Sequence, residues 1–304
     1  MDLSVVVPTL NGRDRLAASL DALAEHAPDA EVVVVNGPSA DGTTGMVRGR
    51  DDVDVLVEVS TRTLNVARNA GLATAAGDAV ALLRYDLLVE PSWTEAVRAG
   101  LREAAAVTGP TPRAGDPPDG PERTRLVDRA VTYFDGANVA FRTDALDALD
   151  GFDEYLETGG ARDAAHRLAG MGYEVAWQEG MRAGSEYGSD GGAEPHDGGN
   201  DQRPYWKYRA LAYRLVKNYG LRPTVVRRLA SHAVSEGLDA AGELLRGDGR
   251  LTGFIGGGRD VATGTATGAS DGLVARARDR SSTRNPHGLS TRADRAVACY
   301  DWRS

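Results

Sequence analysis

The strongest constraint in this chain is the rhythm of its first eighty residues. Leu3 to Val7 is a short apolar run closed by Pro8, and Leu16, Leu20 and Leu23 then recur at helical spacing. Glu31 to Val35 forms a second apolar run, ended by Asn36-Gly37-Pro38, and Val53 to Val57 a third. Leu64 to Ala76 reads as a helix closed by Gly77, and Ala79 to Leu83 as a fourth strand. Strands alternating with helices specify βαβ units and a mostly parallel sheet flanked by helices, an α/β fold. In such sheets ligands sit at the carboxyl ends of the strands, where strand order reverses. Three segments follow strand ends here: Pro8-Thr9-Leu10-Asn11, Asn36 to Thr43, and Arg84-Tyr85-Asp86. No GxGxxG follows the first strand, GxxxxGK[ST] does not occur, and the GxSxG at Gly268-Ala269-Ser270-Asp271-Gly272 follows no strand-like run, which argues against dinucleotide, P-loop and α/β-hydrolase sites.

Composition narrows the class further. Of 304 residues, 41% are apolar and 26% charged, as expected of a soluble globular chain, with no apolar run of about 18 residues that would span a membrane. The single Cys299 excludes an intramolecular disulfide framework. With no leader-like start after Met1, the expected compartment is the cytoplasm. The 44 acidic and 35 basic residues give −9, and only Lys207 and Lys217 are lysines. That balance suits a halophilic protein, and a GC-rich genome produces the same bias. The charge is split: residues 1–202 carry −18, and residues 203–304 carry +9.

The rest of the chain reads less regularly. Gly109 to Glu122, with five prolines, is expected to be a loop. Thr132–Phe134, Asn138–Phe141 and Tyr173–Trp177 look like short strands, and Ala161–Ala169 like a helix. Gly184 to Asn200 reads as a loop, and Tyr205 to Ala233 as helical with a break near Gly220 and Pro223. From Gly247 onward periodicity fades. The expected division is residues 1–200, a substrate domain, and 201–304, a basic helical extension with an irregular tail.

Four segments together resemble a known family: Val5-Val6-Val7-Pro8-Thr9; Val33 to Gly37 with Ser39 and Asp41-Gly42-Thr43; Ala67-Arg68-Asn69-Ala70-Gly71; and Gly77-Asp78 before a strand. Over residues 3–178 the chain is similar to the family 2 glycosyltransferases of GT-A fold. The resemblance implies transfer of a sugar from a nucleoside-diphosphate sugar to a hydroxyl, with inversion, aided by Mg²⁺ or Mn²⁺. It places Pro8, Thr9, Asn11, Asn36 and Asp41 around the nucleotide, and Arg68 and Asn69 on a helix facing the diphosphate. A guanidinium matches phosphate oxygens in bidentate fashion.

The family's Asp-rich turn after the fourth strand is reduced here to Arg84-Tyr85-Asp86. Asp86 is the remaining candidate metal ligand, and the degenerate motif argues against a metal cofactor. Arg84 offers a cation to the leaving diphosphate instead. Asp163, after Gly159-Gly160, stands where the resemblance implies the catalytic base, with Glu157 and Asp153 as fallbacks. His166 reads as a packing or solvated residue, and His196 as a solvated loop residue.

Residues 203–232 hold eight basic and no acidic side chains, interleaved with aromatics. This pattern suits a helix at the inner face of a membrane and a lipid-linked or cell-surface glycan acceptor. It equally suits a helix docked on the acidic part of the chain. No nucleic-acid partner is expected. The competing reading is a non-catalytic nucleotide-sugar-binding or scaffolding protein with a degenerate metal site. A nucleotidyltransferase fits poorly, because Pro8 to Arg13 is not a Gly-rich basic loop.

Overall fold

A computed structural model describes residues 1–112, 120–185, 204–232, 234 and 251–303. Its centre is a parallel ladder of β1 (Leu3–Thr9), β2 (Glu31–Asn36), β3 (Val55–Val59) and β4 (Ala79–Leu83). β2 and then β3 add to one side of β1, and β4 pairs with its other side, all parallel. Strand order therefore reverses between β1 and β4. The full eight-stranded sheet continues past β4 with β9 (Asn138–Arg142), antiparallel, then β6 (Ala106–Thr108) and β10 (Val175–Trp177).

All seven residues of β1 are buried, because helices cover both faces. Alternation sends Val5 and Val7 toward the layer of α1 (Arg13–His26) and α4 (Trp93–Glu103). Val6 meets the other layer, formed by α3 (Leu64–Leu72), α5 (Thr143–Leu149) and α6 (Gly160–Met171). α3 lies unusually close to the sheet at Gly71, where a Cβ would stand 2.2 Å from Val6 Cγ1. Apart from the short antiparallel pair of β5 (Leu88–Val89) and β11 (Ala183–Gly184), β7 (Arg123–Leu126) and β8 (Arg129–Thr132) form a separate hairpin. It replaces the strand expected at Thr132–Phe134.

The C-terminal part differs most from expectation. α7 (Pro204–Tyr219) ends as anticipated at Gly220, whose φ of +74° favours glycine, and a further helix, α8 (223–232), follows. The region expected to be irregular instead holds a 28-residue helix, α9 (Leu251–Arg278), and a strand, β12 (Ala296–Asp301). α9 packs along α7 through Gly264, Gly268 and Gly272, spaced four apart. A Cβ on these would lie 2.3, 2.1 and 2.8 Å from the backbone oxygens of Tyr205, Arg209 and Tyr213. β12 then pairs antiparallel with β3 and closes that edge of the main sheet. Among the described residues beyond 203, α9 packs on α7 and β12 joins the main sheet. Most of the loop anticipated at Gly184–Asn200, His196 included, lies outside the described residues. No helix among the described residues is long and apolar enough to cross a membrane.

Candidate active site at the strand-order reversal

The point where strand order reverses opens into a cleft of about 240 Å³, lined by Pro8, Arg68, Arg84, Asp135, Gly136 and Ala161 among others. β9 runs antiparallel to β4, with Asn138 opposite Leu83, so the turn before β9 lies at the carboxyl edge of the parallel strands. That direction brings Asp135 and Gly136 to the cleft. An adjoining hollow of about 180 Å³ shares Asp135, Gly136 and Ala161 and reaches Arg162 and Trp177.

Arg68, in α3, is only 5% exposed. It donates from Nη1 to Asn65 Oδ1 (3.1 Å) and from Nη2 to the Gly136 carbonyl (2.9 Å), with its guanidinium over Phe152. Gly136 is needed for this approach: a Cβ there would lie 2.6 Å from Arg68 Nη2. Arg84 follows β4. Its Nε donates to Asp86 Oδ1 and its Nη2 to Asp86 Oδ2 at 3.3 Å. The Arg84 side chain remains 27% exposed, whereas Asp86 is 3% exposed. Between them Tyr85 turns inward against Gly12, where a Cβ would meet the tyrosine ring at 2.3 Å. Burial, then the neighbouring Asp86 charge, raises the Tyr85 pKa.

These residues do not fit a divalent metal. Both oxygens of Asp86 are already engaged by Arg84. Among the described residues no group of three His, Cys, Asp or Glu side chains could surround an ion. Asp86, the expected metal ligand, is here the partner of Arg84.

The positions expected around the nucleotide are placed less openly. Thr9 is buried beside Gly12, and its hydroxyl has no partner among the described residues. The Asn36 amide is satisfied within its own loop: Oδ1 accepts from Ser39 Oγ (2.7 Å), and Nδ2 donates to Thr44 Oγ1 (2.9 Å). Asn11 and Asp41 stitch the first two loops together. Asn11 Oδ1 accepts from Ala40 N, and Asp41 accepts from the backbone of Arg13 and from Thr43. Burial works against the Asp41 charge, but the bonds from Thr43 and Arg13 outweigh it and hold the pKa low. Asn69, fully buried, bridges α3 to Phe152 and Glu154 and stands apart from the cleft.

Asp163 does not reach the cleft either. It is 0% exposed and accepts from Arg167 Nε (2.8 Å), Lys217 Nζ (2.8 Å) and Asn218 Nδ2 (2.9 Å). Burial disfavours its charge, but Lys217 and Arg167 more than offset this and hold its pKa at about 2. Two residues along a helix turn the side chain by about 200°. Ala161 lines the cleft, so Asp163 points into the core. Asp153 shares the cage, accepting from Lys217 Nζ (2.7 Å) and the Tyr213 hydroxyl (3.0 Å). Glu157 lines a separate, smaller hollow. The carboxylate that does line the cleft is Asp135, which accepts from Thr111 Oγ1 (2.7 Å) and Ala137 N (2.9 Å). His166 is a core residue between the Tyr133 and Tyr219 hydroxyls.

A parallel sheet whose order reverses at β1, with an antiparallel β9 beside β4 and a cleft at the reversal, is a GT-A-type fold. Residues 4–152 match the family model for glycosyl transferase family 2. Among solved structures the fold is similar to S. aureus TarS, with a TM-score of 0.55 at 17% identity over 71% of this chain. The match spans 39% of that longer protein. The mannosyltransferase PcManGT from Pyrobaculum calidifontis, in complex with GDP-Man and Mn²⁺, matches at 0.53 and 22% identity over 92% of this chain and 88% of its own. TarS 1–349 in complex with UDP-GlcNAc matches at 0.54 and 18%, over 72% and 68%. No curated protein sequence matches the chain.

Proposed function

We propose that the protein transfers a glycosyl group from a nucleoside-diphosphate sugar to an acceptor hydroxyl, with inversion. The carrying observation is that Arg68, Arg84 and Asp135 line one cleft at the strand-order reversal. The ligands of PcManGT and TarS, GDP-Man and UDP-GlcNAc, support a donor of that chemistry. In the proposed step the acceptor oxygen attacks the anomeric carbon and the bond to the diphosphate breaks. The bonding pair leaves with the diphosphate, and the acceptor proton passes to a carboxylate. Asp135 takes that role in place of Asp163. It accepts two hydrogen bonds yet remains partly exposed to the cleft, and a base must reach the proton that it removes. Pro8 and Thr9 border the nucleotide side.

A lipid-linked or cell-surface glycan precursor at the cytoplasmic face of a membrane remains the proposed acceptor. Its support is now confined to α8 and its flanks, where Arg222, Arg227 and Arg228 are exposed beside Leu221 and Val226. The aromatics Tyr208, Tyr213 and Tyr219 of α7 are core residues.

The test is a thermal-shift and turnover panel of UDP- and GDP-sugars. A donor at about 100 times its dissociation constant adds about 2.7 kcal/mol of stability. Binding with transfer or donor hydrolysis supports the reading. Binding without either supports the non-catalytic alternative, and no binding overturns both.

A further inference from the structure

We infer that Arg84 stands in for a divalent metal at the diphosphate, so that this chain binds its donor and releases the leaving group without a metal ion. The inference rests on the glycosyl-transfer reading above.

The geometry is specific. Arg84 is fixed at the carboxyl end of β4 by its own backbone, with its N–H donating to the Ala137 carbonyl (2.8 Å) and its carbonyl accepting from Leu87 N (3.0 Å). Asp86 grips the guanidinium through Nε and Nη2. A guanidinium carries five N–H donors in a rigid plane, so this grip uses two and leaves three. The exposure is unequal. Asp86 sits behind, nearly inaccessible, and the arginine faces outward on the cleft. A carboxylate that orients a cation from behind reduces the rearrangement needed when a ligand arrives.

Arg68 enters the same cleft from α3, held by Asn65 and the Gly136 carbonyl. Two fixed guanidinium groups on one cleft form a clamp of the kind that stabilises charge on a departing phosphate. As the bond from the anomeric carbon to the diphosphate oxygen breaks, its electron pair stays on that oxygen. The arginine N–H groups hydrogen-bond the developing negative charge and transfer no proton to it. The acceptor's proton goes to the cleft carboxylate. Nothing in that balance requires a metal.

The experiment is titration calorimetry of UDP and GDP against the 304-residue chain, in EDTA and again in MnCl₂. The expected result is equal affinity in both for the wild type. Arg84→Ala is expected to weaken binding in EDTA by about tenfold or more, the usual scale for a charge-assisted contact to phosphate. Arg84→Asp places a second carboxylate beside Asp86, and is expected to lose binding in EDTA and regain it with Mn²⁺. Wild-type binding that disappears in EDTA and returns with Mn²⁺ overturns the inference and leaves the glycosyl-transfer reading standing. So does unchanged binding of folded Arg84→Ala in EDTA. Absence of nucleotide binding under both conditions overturns both. The wild-type comparison decides metal independence even where one variant fails to fold, and either folded variant then decides the part of Arg84.

Discussion

Lys217 Nζ on α7 lies 2.8 Å from Asp163 Oδ2 on α6, and both side chains are completely buried. The same ammonium lies 2.7 Å from Asp153 Oδ2. One of only two lysines in the chain therefore ties the C-terminal segment to the core beneath the cleft. Replacing Lys217 with Met leaves two buried carboxylates with less compensation. Breaking one partner of a buried pair costs about 3–5 kcal/mol. Urea unfolding of Lys217→Met is expected to show a loss of that size, and a change below about 1 kcal/mol would mean that the cage is not coupled to stability. Asp163→Asn is expected to behave likewise, with nucleotide affinity of the folded protein retained.

The neighbouring His166 sets the acid side of the stability profile. Burial, then the positive charges of Arg214, Arg162 and Arg129, pushes its pKa down to about 3, against a smaller opposing pull from Asp163. The folded state thus holds His166 neutral where the unfolded chain, titrating near 6.5, binds a proton. Stability is fully present above pH 6.5 and falls as pH drops from there toward 3, by about 1.4 kcal/mol per pH unit at most. Asp163 adds a loss of the same sign between about 4 and 2. Chemical denaturation from pH 7.5 to 4.5 is expected to show this slope in the wild type. His166→Gln, which can still bond both tyrosines, is expected to flatten it.

The parallel ladder was legible because each buried strand is an apolar run ended by a turn residue. The limits are local. The third strand begins at Val55, not Val53; just before it Asp54 meets Val32 twice, its N–H donating to the Val32 carbonyl (3.0 Å) and its carboxylate accepting from the Val32 N–H (2.7 Å). Asp163 was misplaced by helical phase: a carboxylate in the right turn of the right helix faces the wrong way by two residues. Asp135 carried no motif. Its place depends on β9 running antiparallel, which pairing decides and composition does not. α9 was hidden because Gly, Thr and Ser read as loop. Its spacing of Gly264, Gly268 and Gly272 was the available signal, and contact with α7 overrides the poor helix propensity of glycine.

That contact makes a paired prediction. At Gly268 a Cβ would lie 2.1 Å from the Arg209 carbonyl oxygen, a backbone atom that cannot swing away. Gly268→Val is expected to force α7 and α9 apart and cost about 1–3 kcal/mol or more. At Gly258 a Cβ meets nothing within 4 Å. There Gly→Ala is expected to stabilise by up to about 1 kcal/mol through helix propensity alone. Thermal melts of the two variants test the close packing, and equal shifts of the same sign would contradict it.

The last prediction separates Asp135 from Asp163 as the base. Asp135 lines both the 240 Å³ cleft and the hollow beside it, so an acceptor entering from the second meets it at the edge of the first. Asn in its place keeps an oxygen for Ala137 N and an amide that can meet Thr111, so Asp135→Asn is expected to fold. An amide cannot take a proton from the acceptor. Turnover is therefore expected to fall by roughly 10²–10⁴, with donor affinity within a few-fold of wild type. The acid limb of the rate profile, which reports protonation of this carboxylate, is expected to vanish with it. Steady-state kinetics across pH, with nucleotide affinity measured on the same preparation, distinguishes this from misfolding, which lowers both. Undiminished turnover in Asp135→Asn, with its acid limb intact, would exclude this carboxylate as the base. The side chain's partners would then mark it as a brace for the turn before β9, held by Thr111 and Ala137.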